Sequence, residues 1–197
     1  MTAADNILAA VLDDAPQKML KFKQGNFTIS GKDASLTAKY LAHVDQWEKE
    51  WCKFEGGKLV ARQTYRADQG ERPPERNELD SLELVGTKTA TGMSGDPWCF
   101  QYRLLLTNTY TNEVICFVTG TVGGKAAVSD LSSEWANRAK AGHFGLPIVT
   151  LAAGDMPTKT GGSVPRPVFK VVSWEIDERE VPPPLSPADE MSDAIPF

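Results

Sequence analysis

Two rows of basic side chains and a scatter of aromatic rings are the chemistry-bearing features of this sequence. In an extended segment alternate residues share a face, so Lys58, Arg62 and Arg66 fall together with Val60 and Thr64, and Arg166, Lys170 and Trp174 fall together further on. Trp47, Trp51, Phe54, Tyr65, Trp98, Phe100, Tyr102 and Phe117 are interleaved with these cations. Cations for phosphates and flat rings for bases are what a groove holding an unpaired nucleic-acid strand requires, and each stacked base contributes about 1–3 kcal/mol. The candidate contact set is Trp47, Trp51, Lys53, Lys58, Arg62, Tyr65, Arg66, Arg103, Lys125, Arg166 and Lys170. Outside this set, Trp98, Phe100, Tyr102, Leu104 and Leu106 share one face of a single strand and read as core, which would turn Arg103 outward to solvent and to a phosphate.

Catalytic chemistry finds little support. The two histidines, His43 and His143, have no second His or Cys at ligand spacing, and Cys52, Cys99 and Cys116 are odd in number and far apart. Neither a metal site nor a disulfide framework is expected, and no cofactor motif is present; a reducing compartment suits the cysteines. No G-x-S-x-G, S-x-x-K, H-E-x-x-H or P-loop occurs, and GTVGGK (120–125) lacks the spacing that cradles phosphates. The carboxylate pairs Glu48 with Glu50 and Glu75 with Glu78 read as solvated faces. The expectation is a binding protein, not an enzyme.

The elements that must position these residues are mostly strands. KFKQGNFTIS alternates from Phe22 onward, KYLAHVDQW extends from Lys39 to Trp47, and WCKFEGGKLVARQTY turns at Glu55–Gly57 to form a hairpin. Residues 66–97 are rich in Pro, Gly and charge and predict an excursion with little regular structure. WCFQYRLLLT and EVICFVTGT form a second hairpin, Ala127, Leu131, Trp135 and Ala139 mark a helix that Gly142 closes, and LPIVTLAAG with VPRPVFKVVSW forms a third. An all-β chain with one main helix, inserted before the last strands, predicts a small barrel of the OB-fold type. Ahead of it, Ile7, Leu8, Val11 and Leu12 recur at helical spacing, giving a leader over residues 1–20, a binding domain over 21–174 and a tail over 175–197.

The net charge of −5 is unevenly distributed. Seven acids and one base fall in residues 175–197, as do five of the thirteen prolines, so the body is close to neutral and the tail carries the acidity. Such a stretch cannot bury enough apolar surface to offset its ordering entropy and is expected to be flexible. No apolar run approaches the roughly 18 residues that a membrane span needs, so a cytoplasmic protein is expected.

The last residues, PADEMSDAIPF, resemble the acidic C-terminal tip of bacterial and phage single-stranded DNA-binding proteins, whose tails end in D-D-D-I-P-F or close variants; Asp193, Ile195, Pro196 and Phe197 carry the match, with Ala194 in place of an acid. The resemblance implies single-stranded DNA as ligand and replication, repair and recombination proteins as partners recruited by the tip. A terminal Phe also offers a ring and a carboxylate together, with Pro196 restricting the chain before it. The tail is expected to compete with DNA for the basic groove, and the body to be a possible homo-oligomer. The rival expectation is an adaptor that binds no nucleic acid and docks on replication enzymes by the tip alone.

Overall fold

The computed structural model describes residues 18–56, 58–67, 69–79, 96–158 and 161–175. Ten strands among them join one sheet: β1 (Lys18–Lys23), β2 (Asn26–Ile29), β3 (Lys32–Asp33), β4 (Tyr40–Ala42), β5 (Glu48–Glu55), β6 (Lys58–Arg66), β7 (Trp98–Asn108), β8 (Val114–Thr119), β9 (Pro147–Pro157) and β10 (Ser163–Trp174). A single α-helix, α1 (Val122–Lys140), connects β8 to β9, and Arg76–Glu78 forms one 3-10 turn. The main path of the sheet runs β10-β9-β4-β7-β8-β1-β2-β3, with β5 paired to β7 and β6 paired to β5.

Three hairpins follow the turn chemistry. β5 and β6 meet across residues 55–58, β7 and β8 across Asn108–Glu113, and β9 and β10 run antiparallel along nearly their whole length. Two features depart from the sequence expectation. The extended piece drawn from Lys39 to Trp47 stops at Ala42, because the backbone turns at 44–46 (Val44 N–H to Ala42 O, 2.9 Å; Gln46 N–H to His43 O, 3.1 Å) before resuming as β5. β1 also pairs parallel with β8, Met19 opposite Cys116, so the strand straddles the boundary expected at residue 20 and joins the sheet.

The sheet curls strongly into a half-barrel, and its concave side holds the core: Leu20, Phe27, Tyr40, Leu104, Leu106, Ile115, Phe117, Val149, Leu151 and Phe169. Phe169 of β10 meets Phe117 of β8 at 5.1 Å and Phe27 of β2 at 6.4 Å between ring centroids, so rings from the two limbs of the path close over one another. Helix α1 adds Ala127, Val128 and Leu131 to the same core. Its start explains the paired glycines: a Cβ on Gly124 would stand 1.9 Å from Thr119 Oγ1 and one on Gly123 2.9 Å from Arg166 Cβ. The glycines let the first turn lie directly on β8 and β10, while Thr121 caps it by accepting from the Gly124 N–H at 3.1 Å. At the other end Gly142, at φ 85°, reverses the chain. No helix among the described residues is long and apolar enough to cross a membrane.

Candidate nucleic-acid interface

The cross-strand register of β5, β6 and β7 decides which side chains share a surface. Lys49 stands opposite Tyr102 and Tyr65, Trp51 opposite Phe100 and Gln63, and Lys53 opposite Trp98 and Ala61. The backbone hydrogen bond from Phe54 N–H to Pro97 O places residue 54, and by alternation 52, 50 and 48, at the hydrogen-bonded pairs. Lys49, Trp51 and Lys53 therefore occupy the non-hydrogen-bonded pairs, where opposing side chains approach more closely. Trp51 and Phe100 are 4.8 Å apart between centroids, Phe100 and Tyr102 5.7 Å, and Tyr102 and Trp47 4.9 Å.

These four rings form one continuous row, graded from core to surface. Trp47, with 8% of its surface exposed, belongs to the core, and its indole N–H donates to Ser132 Oγ of α1 at 3.1 Å. It anchors the row instead of offering a stacking face, which corrects its assignment as a contact residue: the turn before β5 tucks the ring under α1. Tyr102 packs against the core, and Phe100 and Trp51 are half-buried. Trp51 is fixed by donating its N–H to Pro74 O at 3.0 Å, so the 66–97 excursion steadies the outer end of the row. The expected core stripe of β7 is thus core at Trp98, Leu104 and Leu106 and partly open at Phe100 and Tyr102.

Ammonium groups sit over two rings of the row and over the neighbouring Trp98. Lys49 Nζ lies 5.3 Å from the Trp47 centroid, Lys53 Nζ 5.9 Å from that of Trp98, and Lys125 Nζ, from the first turn of α1, 5.5 Å from that of Phe100. Beside them opens a cleft of about 420 Å³ lined by Trp51, Phe54, Trp98, Phe100, Gly120 and Lys125, with the Arg76–Asp96 ion pair at its rim. Arg76 holds the Asp96 carboxyl below the usual carboxylate range. Gly120 leaves the cleft open where a Cβ would sit 3.2 Å from Cys99 Sγ. Tyr65 is half-buried on the same face, its hydroxyl donating to Gln63 at 2.8 Å.

The other face of the same strands carries a buried charge network. Arg103 Nη1 reaches Glu48 Oε2 at 3.3 Å and Glu50 Oε1 at 3.8 Å, and Arg103 Nε donates to Cys116 Sγ at 3.2 Å. Arg62 Nε approaches Glu50 Oε1 at 3.9 Å, while Gln101 donates to Glu50 Oε2 at 3.0 Å. Glu50 is 1% exposed and the Arg103 side chain 14%. Burial raises the Glu48 carboxyl against the opposing pull of Arg103, and burial together with the neighbouring Glu50 pushes the Cys52 thiol up to about 11.

Two expectations fail here for one reason. Glu48 and Glu50 are not solvated, and Arg103 does not turn out to water, because the register of β5, β6 and β7 sets these ions against one another, Arg103 on Glu48, Glu50 and Cys116, and Arg62 and Gln101 on Glu50. Arg62 and Arg66 stand on this face opposite Cys52 and Glu48. The bulge between Lys53 and Phe54 breaks the expected row: Val60 and Ala61 line one groove together, and Lys58 moves opposite Glu55. Arg166 pairs with Asp130 of α1 at 3.1 Å, and exposed Lys170 shares its strand, both separated from β7 by β9 and β4.

Of the sequence candidates, the fold gathers Trp51, Lys53, Tyr65 and Lys125 on one surface and distributes Lys58, Arg62, Arg66, Arg103, Arg166 and Lys170 elsewhere. It adds Lys49, which sequence reasoning passed over although the K-x-W-x-K alternation at 49–53 was available, and Phe100, which was read as core. Asp193, Ile195, Pro196 and Phe197 lie outside the described residues. No group of three or more His, Cys, Asp or Glu among the described residues could hold a metal ion. No protein-family model matches the chain, and no curated protein or solved structure matches it.

Proposed function

We propose that this protein binds single-stranded DNA, laying unpaired bases along Trp51, Phe100 and Tyr65 with phosphates on Lys49, Lys53 and Lys125. The observation that carries the reading is the ring row with Lys49 and Lys125 over two of its rings and Lys53 over the neighbouring Trp98. Stacking surfaces serve any base, and a handful of cations tracking the backbone suits a protein whose body is close to neutral. Duplex DNA keeps its bases stacked on one another and offers this surface only phosphates.

The strand order supports an OB-like barrel as the scaffold. β4 and β5 behave as one bent strand paired along β7, β8 follows antiparallel, α1 intervenes, and β9 returns to pair with β4 before β10. An OB-fold places its helix between the third and fourth of five strands in this sense. In that correspondence the β5–β6 hairpin extends the first strand, and β1–β3 are an addition alongside β8. The tip Asp193, Ile195, Pro196, Phe197 is read as the docking point for replication, repair or recombination proteins.

The test is titration of fluorescein-labelled oligo(dT) and of a duplex of equal length at two salt concentrations. Preferential single-strand binding that weakens as salt rises supports the reading; equal affinity for duplex, or no binding at all, rejects it, the second outcome favouring the adaptor. Removing residues 175–197 should strengthen binding most at low salt, since seven acids leave with the tail.

A further inference from the structure

The cleft beside the ring row holds a group that the row itself does not explain. Trp51, Phe54, Trp98 and Phe100 make its apolar walls and Lys125 supplies a cation, yet Asp96 lines it too, the one acid there among the described residues. A carboxylate repels phosphates, so on a surface that takes a nucleic-acid strand it requires another task. The structure compensates its charge and fixes its position. Asp96 Oδ1 accepts from Arg76 Nη2 at 2.6 Å and from the Trp98 N–H at 2.9 Å, while Oδ2 accepts, among the described residues, from Arg76 Nε alone. Arg76 comes from the 3-10 turn and Trp98 from the start of β7, so two separate elements orient the carboxylate. The hydrogen bonds from Arg76 also keep it ionised at neutral pH, an acceptor with lone pairs to spare on Oδ2 and 34% of the side chain exposed.

We propose that this cleft reads one base of the bound strand, Asp96 accepting from an exocyclic amino group so that cytosine is favoured there over thymine. The inference rests on the single-strand reading of the ring row and adds base selectivity to it. Neighbouring rings of the row stand 4.8 to 5.7 Å apart between centroids, too close to admit a base between them when each stacked layer is about 3.4 Å thick. The cleft of about 420 Å³ is the place where a base enters edge first, and Asp96 stands at its rim. Cytosine carries its N4 amino group at a corner of the ring, with a hydrogen directed outward, and a carboxylate accepts from it. Thymine puts the O4 carbonyl at that corner, and its N3–H lies between two carbonyl oxygens, so Asp96 meets acceptors like itself. Adenine and guanine also bring amino groups, which makes thymine the base refused.

The test is fluorescence anisotropy of the full chain with labelled oligo(dT) and with the same strand carrying one cytosine, walked along its length. At least one position of the cytosine should tighten binding about ten-fold, the worth of one hydrogen bond to a charged group. Deoxyuridine at that position should bind as thymine does, because it lacks the methyl group but keeps O4. Asp96→Asn should remove most of the gain, since an amide donates to O4 as well as accepting from N4. Equal affinity for every strand overturns the inference and leaves the single-strand reading standing. An equal gain with deoxyuridine assigns the effect to the missing methyl group, and a gain that survives Asp96→Asn assigns it to another residue; each overturns the inference. The deoxyuridine comparison uses the unmodified chain and so decides the matter whether or not the variant folds. If oligo(dT) and its cytosine variants all fail to bind, the ring-row reading falls and the inference with it.

Discussion

The two faces of β5 and β7 are built from the same strands, residue by alternate residue, and have opposite characters. One carries Lys49, Trp51 and Lys53 against Tyr102, Phe100 and Trp98, with Trp51, Phe100 and Tyr102 partly open and the Lys49 and Lys53 ammonium groups resting over the buried rings of Trp47 and Trp98. The other carries Glu48, Glu50 and Cys52 against Arg103, Gln101 and Cys99, with the ions turned on one another and shut away from water. Arginine on the buried face satisfies carboxylates through its forked donors. Lysine on the open face is a flexible point charge, Lys53 Nζ meeting Glu55 Oε1 at 3.6 Å while it lies over Trp98. A count of basic residues treats Arg103 and Lys125 alike; their surroundings give the first a structural task and leave the second available.

The largest effect expected from breaking this comparison is on the buried face. Arg103→Ala leaves Glu48 without its paired cation and Glu50 with only Arg62, at 3.9 Å, in a dry environment and should destabilise the fold by about 3–5 kcal/mol, read by urea denaturation. Oligo(dT) affinity of the molecules that remain folded should hold within about two-fold, a spread of roughly 0.4 kcal/mol. If Arg103→Ala instead leaves stability intact and weakens DNA binding, the assignment of faces is reversed.

On the open face the expectation is the mirror image. Trp51→Ala and Phe100→Ala should each cost about 1–3 kcal/mol of single-strand affinity, measured by anisotropy of a labelled oligonucleotide because one of the variants removes a fluorophore. Unchanged affinity in both would remove the ring row from the interface. Smaller again, Lys125→Ala should lower the slope of log affinity against log salt by about 0.7 if it neutralises one phosphate. A unit change would not follow from Arg62→Ala if Arg62 is committed to Glu50.

The smallest effect concerns His43, which lies beside the buried face and donates to or accepts from Thr107 Oγ1 at 2.8 Å. Burial lowers its pKa below the ordinary histidine value, so the unfolded chain takes up a proton that the folded chain resists. The stability this supplies is complete above about pH 6.5 and is lost as the pH falls toward the lowered folded value. Thermal melts between pH 7.5 and 5.5 should show a decline that flattens in His43→Gln.

Local patterns carried much of the architecture. The turn at Glu55–Gly57, the alternating pair 98–107 and 113–121, and the spacing of Ala127, Leu131 and Trp135 are short-range signals, and β5–β6, β7–β8 and α1 form where they stand. The parallel pairing of β1 with β8 escaped that reading, because nothing between residues 18 and 23 specifies a partner nearly a hundred positions away. The same limit governed the site. Alternation identified which residues of one strand share a side, as with Lys49, Trp51 and Lys53, but not whether that side would be covered.

Residue order by itself determined the strand-forming segments, the single helix, the paired glycines at its start and the separation of a near-neutral body from an acidic tail, because each depends on neighbours within a turn or two of chain. Only the tertiary structure decided that Trp47 is an anchor beneath α1, that Arg103 is enclosed by Glu48 and Glu50, and that Trp51, Phe100 and Lys125 face one cleft. Those outcomes depend on register between distant strands and on where the curl of the sheet leaves room for water, quantities that no stretch of sequence carries alone.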